Sequence, residues 1–339
     1  MSSSKPRGAG ARVFFDRFRA EVAEYADGVH RLAGPAPAAA LAGVPDAELR
    51  DFLASWDGAD LFVDAYSIRS VAELEREGAV LWFGETVLGD QLGIELEQGG
   101  RVVRLEEDTG EVLVEASSFA LWLEATIVAD GVLYDHEGEW LDAVFDDDQD
   151  ELAPAASAKR EKKALKIDPE APAPAWRLAK AQERSGDGSA ARKTLEALVA
   201  HARDFAWAWF DLGRLRRADE DSAAAEAAFA AAADAGARQG SELAGWFAAH
   251  AARSAADRRD EAARARHAAR ALELDPEVAR AQRRAAQVSV DEGNLDEARE
   301  LVALAAALLP RDLEVAELTR RLAASSPAPP AAPARKPRK

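Results

Sequence analysis

The chain has 339 residues, no cysteine, 61 acidic against 43 basic side chains and a net charge of −18. Its length supports two domains, each with its own core, and the lack of cysteine excludes a disulfide framework and any thiolate metal site while fitting a reducing, cytoplasmic setting. The charge is uneven: residues 40–151 hold 29 Asp and Glu, five Arg and no Lys, a balance of −24, which argues against nucleic-acid binding, because phosphates need cations; by itself it reads first as a surface kept soluble, and it would also attract a basic protein partner.

Residues 1–10 are polar and read as disordered. Over 11–33, Phe14, Phe18, Val22, Tyr25, Val29 and Leu32 recur every three or four residues and predict an amphipathic helix. Its polar face mixes Arg with acids, which suits packing on protein rather than on a membrane surface. Met1-Ser2-Ser3-Ser4-Lys5 leads into no apolar segment, so no secretory signal is expected. No apolar run approaches bilayer length.

Gly34-Pro35-Ala36-Pro37 ends that helix. Val44 to Leu53 reads as the next one, closed by a Trp56-Asp57-Gly58 turn. Val80-Leu81-Trp82-Phe83 is an apolar strand ending at a Gly84 break. Leu92 to Leu96 alternates apolar and polar as a half-buried strand does. Gln98-Gly99-Gly100 is a hairpin turn, Val102 to Leu105 a strand, Asp108-Thr109-Gly110 a second turn, and Val112 and Val114 continue the sheet. Ser118 then stands at a helix N-cap position, before Phe119, Trp122, Leu123 and Ile127 at helical spacing. Trp82, Phe119 and Trp122 read as core, and Asp90 as a residue that orients a strand. Glu106, Glu107, Asp108 and Glu111 cluster on one hairpin. They read either as a solvated turn or, given the charge around them, as a contact surface for a basic partner.

Taken together, the Val44–Leu53 helix, Trp56-Asp57-Gly58, Leu81-Trp82-Phe83-Gly84, Gly89-Asp90 and Ser117-Ser118-Phe119 resemble, in order and spacing, the SUKH superfamily (Smi–Knr type) over residues 41–128. Gly84-Glu85-Thr86-Val87 departs from the family's more glycine-rich turn. The resemblance implies an α+β domain at 40–145, a twisted antiparallel-type sheet with flanking helices, and a role in immunity to a toxin, often a nuclease, or in regulating the cell envelope.

Residues 146–157 read as an acidic linker. Asp146, Asp148 and Asp150 have the spacing of a calcium loop, but Glu151 replaces the required glycine and Ser157 the bidentate glutamate, so a calcium site is rejected. Beyond it the texture turns helical and a 34-residue period emerges. Ala164-Leu165-Lys166-Ile167-Asp168-Pro169 and Ala271-Leu272-Glu273-Leu274-Asp275-Pro276 share an ending. Gly186/Ala191 and Gly293/Ala298 fall at matching places, Ala225 stands where Ala191 and Ala298 do, and the period departs once, by five residues near 235–241. These residues, with Trp209, Leu212 and Gly213, resemble tetratricopeptide repeats. They imply an all-α solenoid over 158–324 closed by a cap helix, followed by a basic, Pro/Ala-rich disordered tail at 325–339.

The resemblance also implies a concave face lined by the first helix of each repeat. In that register Trp176, Lys180, Trp207, Phe210, Arg214, Trp246, Arg253, Arg280 and Arg283 form a basic and aromatic stripe suited to an acidic or aromatic peptide. Trp207 and Trp246 could equally pack between helices. The asparagines of the chaperone-binding carboxylate clamp are missing.

No phosphate loop, HExxH or GxSxG motif is present, and the five histidines have no ligand spacing. No enzyme, metal or cofactor is therefore expected. Three readings remain: an immunity-like binder of a basic protein with a second partner on the repeats, a cytoplasmic scaffold or regulator, and an adaptor whose acidic domain docks on its own groove.

Overall fold

The computed structural model describes residues 15–141, 144–145 and 152–325. The expected disorder at 1–10 and the acidic run at 146–151 lie outside the described residues, as does the tail expected at 325–339 beyond Ser325, which ends the last helix. The chain forms two compact units, one running through Arg203 and one beginning at Asp204.

The first unit opens with α1 (Asp16–Val22), β1 (Arg31–Leu32), α2 (Ala38–Leu41) and α3 (Ala47–Leu53), continues through β2 (Ala59–Leu61), β3 (Tyr66–Ile68), β4 (Glu75–Glu77), β5 (Val80–Thr86), β6 (Gln91–Glu95), β7 (Arg101–Leu105) and β8 (Val112–Ala116), and ends with α4 (Phe119–Asp130), α5 (Pro154–Ile167), α6 (Pro172–Arg184) and α7 (Gly188–His201). The sheet is antiparallel in the order β1-β2-β3-β5-β6-β7-β8. β4 shares an edge of β5 with β3, pairing Val80–Trp82 while β3 takes Gly84–Thr86.

The expected helix over 11–33 stops at Val22. Gly28 takes φ +95°, which only glycine adopts freely, and Arg31 and Leu32 leave to pair with Asp60 and Ala59. The helical spacing misleads because the irregular stretch also buries its apolar residues, Val29 at 3% exposure. Nor does Gly84 end a strand. β5 runs through it with a bulge between Trp82 and Gly84, and a Cβ there would stand 2.3 Å from the Ser67 carbonyl oxygen, so the glycine admits the neighbouring strand.

The core lies between sheet and helices. Phe83 meets Phe119 and Trp122 edge-on, each at 5.1 Å, and Phe52 meets Phe15 and Phe119 at 5.8 and 5.5 Å. Phe15, Phe18 and β1 belong to this same body, so the sheet domain does not begin at residue 40. At the other end the helices start inside the expected linker, because Pro154 stands at the first turn of α5, where a missing N–H costs nothing.

α5 and α6 are fastened to the sheet by a buried ionic seam. Arg177 on α6 donates to both oxygens of Glu115 on β8, at 2.8 and 2.9 Å, and to Glu161 on α5 at 3.1 Å. Arg160 pairs with Asp130 and Glu161 and donates to the Tyr66 hydroxyl at 3.1 Å. Arg104 on β7 lies 3.1 Å from Glu115. Three arginines thus balance three carboxylates. At the α5 C-terminus, Asp168 accepts from the Ser117 amide and hydroxyl at 2.6 and 2.9 Å.

The second unit holds α8 (Ala206–Ala218), α9 (Ser222–Gln239), α10 (Ala244–Asp257), α11 (Glu261–Leu274), α12 (Val278–Glu292), α13 (Leu295–Leu308) and α14 (Leu313–Ser325). Together with α5–α7 they make an all-helical repeat region. The five-residue departure becomes an extra turn: α9 has 18 residues where α7, α11 and α13 have 14. α9 is closed by Gly240 at φ +72°. Asp187, Asp221 and Asp260 cap α7, α9 and α11 by accepting from the amide three residues on, at 2.9, 3.1 and 2.9 Å.

Candidate functional site

The four acids of the first unit meet on the β7–β8 hairpin. The Glu106 amide donates to the Glu111 carbonyl at 3.0 Å, and Gly110, at φ +68°, donates back to Glu106 at 2.9 Å. Thr109 Oγ1 donates to the Glu106 carboxylate at 3.0 Å and accepts from the Glu111 amide at 3.2 Å. Glu106 also lies 3.6 Å from Arg104. Glu106 and Glu111 are therefore half-buried and engaged, whereas Glu107 and Asp108 point into solvent. Asp90 takes the structural part expected of it, accepting from the Glu107 amide at 3.2 Å and facing Arg104 at 3.5 Å.

The residues of the expected stripe are divided between the two units. Trp176 and Lys180 sit on α6 in the first unit, the ammonium 4.6 Å from the ring centroid of a Trp that is 9% exposed. The second unit does join Trp207, Phe210 and Arg214 on α8 with Trp246 and Arg253 on α10. Phe210 and Trp246 lie 4.6 Å apart, and Trp207 is 5.8 Å from Phe210 and 6.4 Å from Trp246. Phe210 is buried and both tryptophans are half-buried. The aromatics are thus largely packing, with edges left to solvent.

The arginines are not open cations. Arg214 donates to Asp211 at 3.0 Å. Arg280 and Arg283 on α12 pair with Glu277 at 2.6 Å and with Asp312 and Glu314 at 3.1 and 2.8 Å. Arg253 donates to Glu300 on α13 at 3.1 Å through one nitrogen and more closely through another, and Arg217 donates to the same carboxylate at 2.9 Å. Within the expected basic and aromatic stripe the arginines are engaged: α13 packs against α10 more extensively than α12 does, and this brings Glu300 to Arg217 and Arg253. Burial works against charge on Glu300, but the bonds and field of Arg253, then Arg217, hold its carboxyl below the ordinary range.

Two residues beside this cluster escaped the sequence reading. Arg217 lies 5.8 Å from the Phe229 ring centroid and 3.5 Å from His250 Nδ1. His250, 5% exposed, is walled by Phe210, Phe229 and Trp246 at 5.1, 5.1 and 4.6 Å, and its Nε2 has no partner. Burial pushes this imidazole well below its usual range, and Arg217, Arg253 and Arg214 push the same way. Arg217 falls on a groove-lining position of its repeat, three residues beyond Arg214, and was not singled out, whereas His250 lies off those positions. Among the described residues no carboxylate bonds to the neutral His250 ring. Among the described residues no group of three or more His, Asp or Glu could hold a metal ion, and no helix is long and apolar enough to cross a membrane.

Residues 153–208 match the tetratricopeptide repeat family, covering α5 to the start of α8. No curated protein matches the chain. Among solved structures, that of MamA is 17% identical, with a TM-score of 0.34 over 50% of this chain and 91% of that one. YrrB, described as a TPR protein with an unusual peptide-binding site, is 17% identical with a TM-score of 0.32, over 49% of this chain and 91% of that one. The Cut9–Hcn1 hetero-tetramer is 13% identical with a TM-score of 0.25, over 50% of this chain and 39% of that one.

Proposed function

We propose that the chain is a non-catalytic protein-binding protein. Its acidic sheet unit takes a basic protein, and its helical repeats take a second partner at the α8–α10 face. The observation that carries this reading is the balance of −24 over residues 40–151, with Glu107 and Asp108 turned outward and held by no cation among the described residues. Such a surface accelerates encounter with a cationic partner and rejects anionic ones. The repeat family match at 153–208 supports the second contact. The finer form of the proposal is SUKH-type immunity, in which the sheet unit covers the cationic surface of a toxin. It rests on the resemblance over 41–128. A cytoplasmic scaffold or regulator of signalling or envelope growth would use the same two surfaces.

One observation favours a self-occupied groove. Glu300 already stands between Arg217 and Arg253 as a ligand carboxylate would. In this form of the autoinhibited adaptor the masking acid comes from α13, and a partner's carboxylate displaces it.

The test is capture from host lysate on the full chain at low and moderate salt, followed by mass spectrometry. The proposal expects one basic protein, retained stoichiometrically and lost on E106Q/E107Q/D108N/E111Q. Acidic captures, or retention indifferent to those four changes, would contradict it.

A further inference from the structure

A cavity opens beside the β5–β6 turn. Its volume is about 540 Å³, within the ~300–1,000 Å³ range of ligand pockets. Ten large hydrophobic residues are exposed among those described, and four of them, Val63 at 60%, Val87 at 72%, Leu88 at 76% and Trp140 at 48%, line this one opening. Scattered apolar residues are ordinary on a surface, whereas a cluster around a cavity marks a contact.

The backbone of the rim is unusual too. Phe62, Val63 and Asp64 take φ of 54°, 52° and 74° in succession. Left-handed conformation is costly for any residue with a Cβ and most of all for a β-branched one. Here it displays Val63 to solvent rather than burying it. The same stretch buries Phe62 against Tyr134, and strain of this kind clusters at functional sites.

The floor asks for no charge. Arg160 is satisfied by Asp130 and donates to the Tyr66 hydroxyl, and Arg104 faces Asp90 at 3.5 Å. The surroundings are anionic. Glu139 lines the mouth with Glu137 beside it, and neither has a cationic partner among the described residues. On the other side Glu107 lies over Gly89, so that a Cβ on Gly89 would strike its carboxylate. The cavity thus opens between two sets of acids.

We propose that this cavity receives an apolar side chain of a partner protein, carried on a segment whose neighbouring residues are Lys or Arg. The apolar rim takes the anchor, and Glu137, Glu139, Glu107 and Asp108 take the flanking cations. This rests on the basic-partner reading above and adds where and by what chemistry the partner is held. A buried anchor ringed by complementary charge is how small interfaces concentrate their affinity.

The probe is a random heptapeptide phage library panned on the full chain, with enriched peptides measured by fluorescence anisotropy. The variants are Leu88→Asp and Val87→Asp, both at exposed positions and checked for an unchanged melting profile, and E106Q/E107Q/D108N/E111Q. The expected result is peptides joining Leu, Phe or Trp to at least two Lys or Arg. Binding should fall at least tenfold with Leu88→Asp, with Val87→Asp, or when the peptide's apolar residue is replaced by Ala. Basic peptides that survive Leu88→Asp but are lost on the four acid changes would overturn the cavity and leave the basic-partner reading standing. Acidic or uncharged peptides, or no enrichment, would overturn both.

Discussion

Arg177 on α6 grips Glu115 on β8 by two parallel hydrogen bonds of 2.8 and 2.9 Å, so the helix at the heart of the repeat match is held by the sheet. Burial alone would raise the Glu115 carboxyl, but Arg177 and then Arg104 outweigh it and hold it at about 2. Removing one partner of such a pair leaves buried charge unanswered. Arg177→Met should therefore cost about 3 kcal/mol, and E115Q/R177M together less than the sum of the singles, as urea unfolding of the full chain and the double-mutant cycle will show.

The same seam sets where the chain can be cut. A fragment of residues 15–203 should melt cooperatively, because it keeps Arg160, Glu161 and Arg177 with Asp130 and Glu115. A fragment of 15–151 loses three members of the seam and should show a broad, low transition by circular dichroism. Equal cooperativity in both fragments would refute the role given to the seam.

Stability should fall in acid by two routes. Burial holds His250 well below its ordinary value and puts His30 at about 4. The unfolded chain therefore binds these protons first, and stability is lost as pH drops below about 6.5. Glu115 has the depressed carboxylate pattern, its contribution present above the unfolded value near 4.5 and lost as pH falls towards about 2. His250→Leu should flatten the first arm by up to about 1.4 kcal/mol per pH unit, measured by urea midpoints between pH 7 and 5.

Glu300 masks Arg217 and Arg253, so E300Q exposes a cation pair next to Trp246 and Phe210. Affinity for a fluorescein-labelled Glu-rich peptide should rise on the order of tenfold, at a stability cost of about 1–2 kcal/mol. Unchanged affinity would mean that these arginines are structural only.

Gly84→Ala should destabilise by about 1–3 kcal/mol, since the new methyl meets the Ser67 carbonyl oxygen at 2.3 Å and a backbone atom of the adjacent strand cannot swing aside. Thermal unfolding will measure it.

The helices of the repeat region were legible because each repeat restates the same small residues and endings, and the caps Asp187, Asp221 and Asp260 restate the period a second time. The strands from β5 to β8 were legible through alternation and glycine turns. β1 to β4, two or three residues each, are too short for any period to register. The acidic hairpin is local in sequence and so was found whole. The cavity draws on Val63, Val87, Leu88 and Trp140, which only the fold brings together, and the masking of Arg253 by Glu300 spans 47 residues. Neither leaves a periodic signal.

The central claim is that a basic partner is held at the acidic, cavity-bearing face of the sheet unit. Hydrogen–deuterium exchange of the full chain, with and without the basic protein it captures, tests this most directly. The account predicts slowed exchange at 62–66, 86–90, 106–111 and 134–140, reversed by Leu88→Asp. Slowed exchange confined to residues 206–325, with those four segments unchanged, would contradict it.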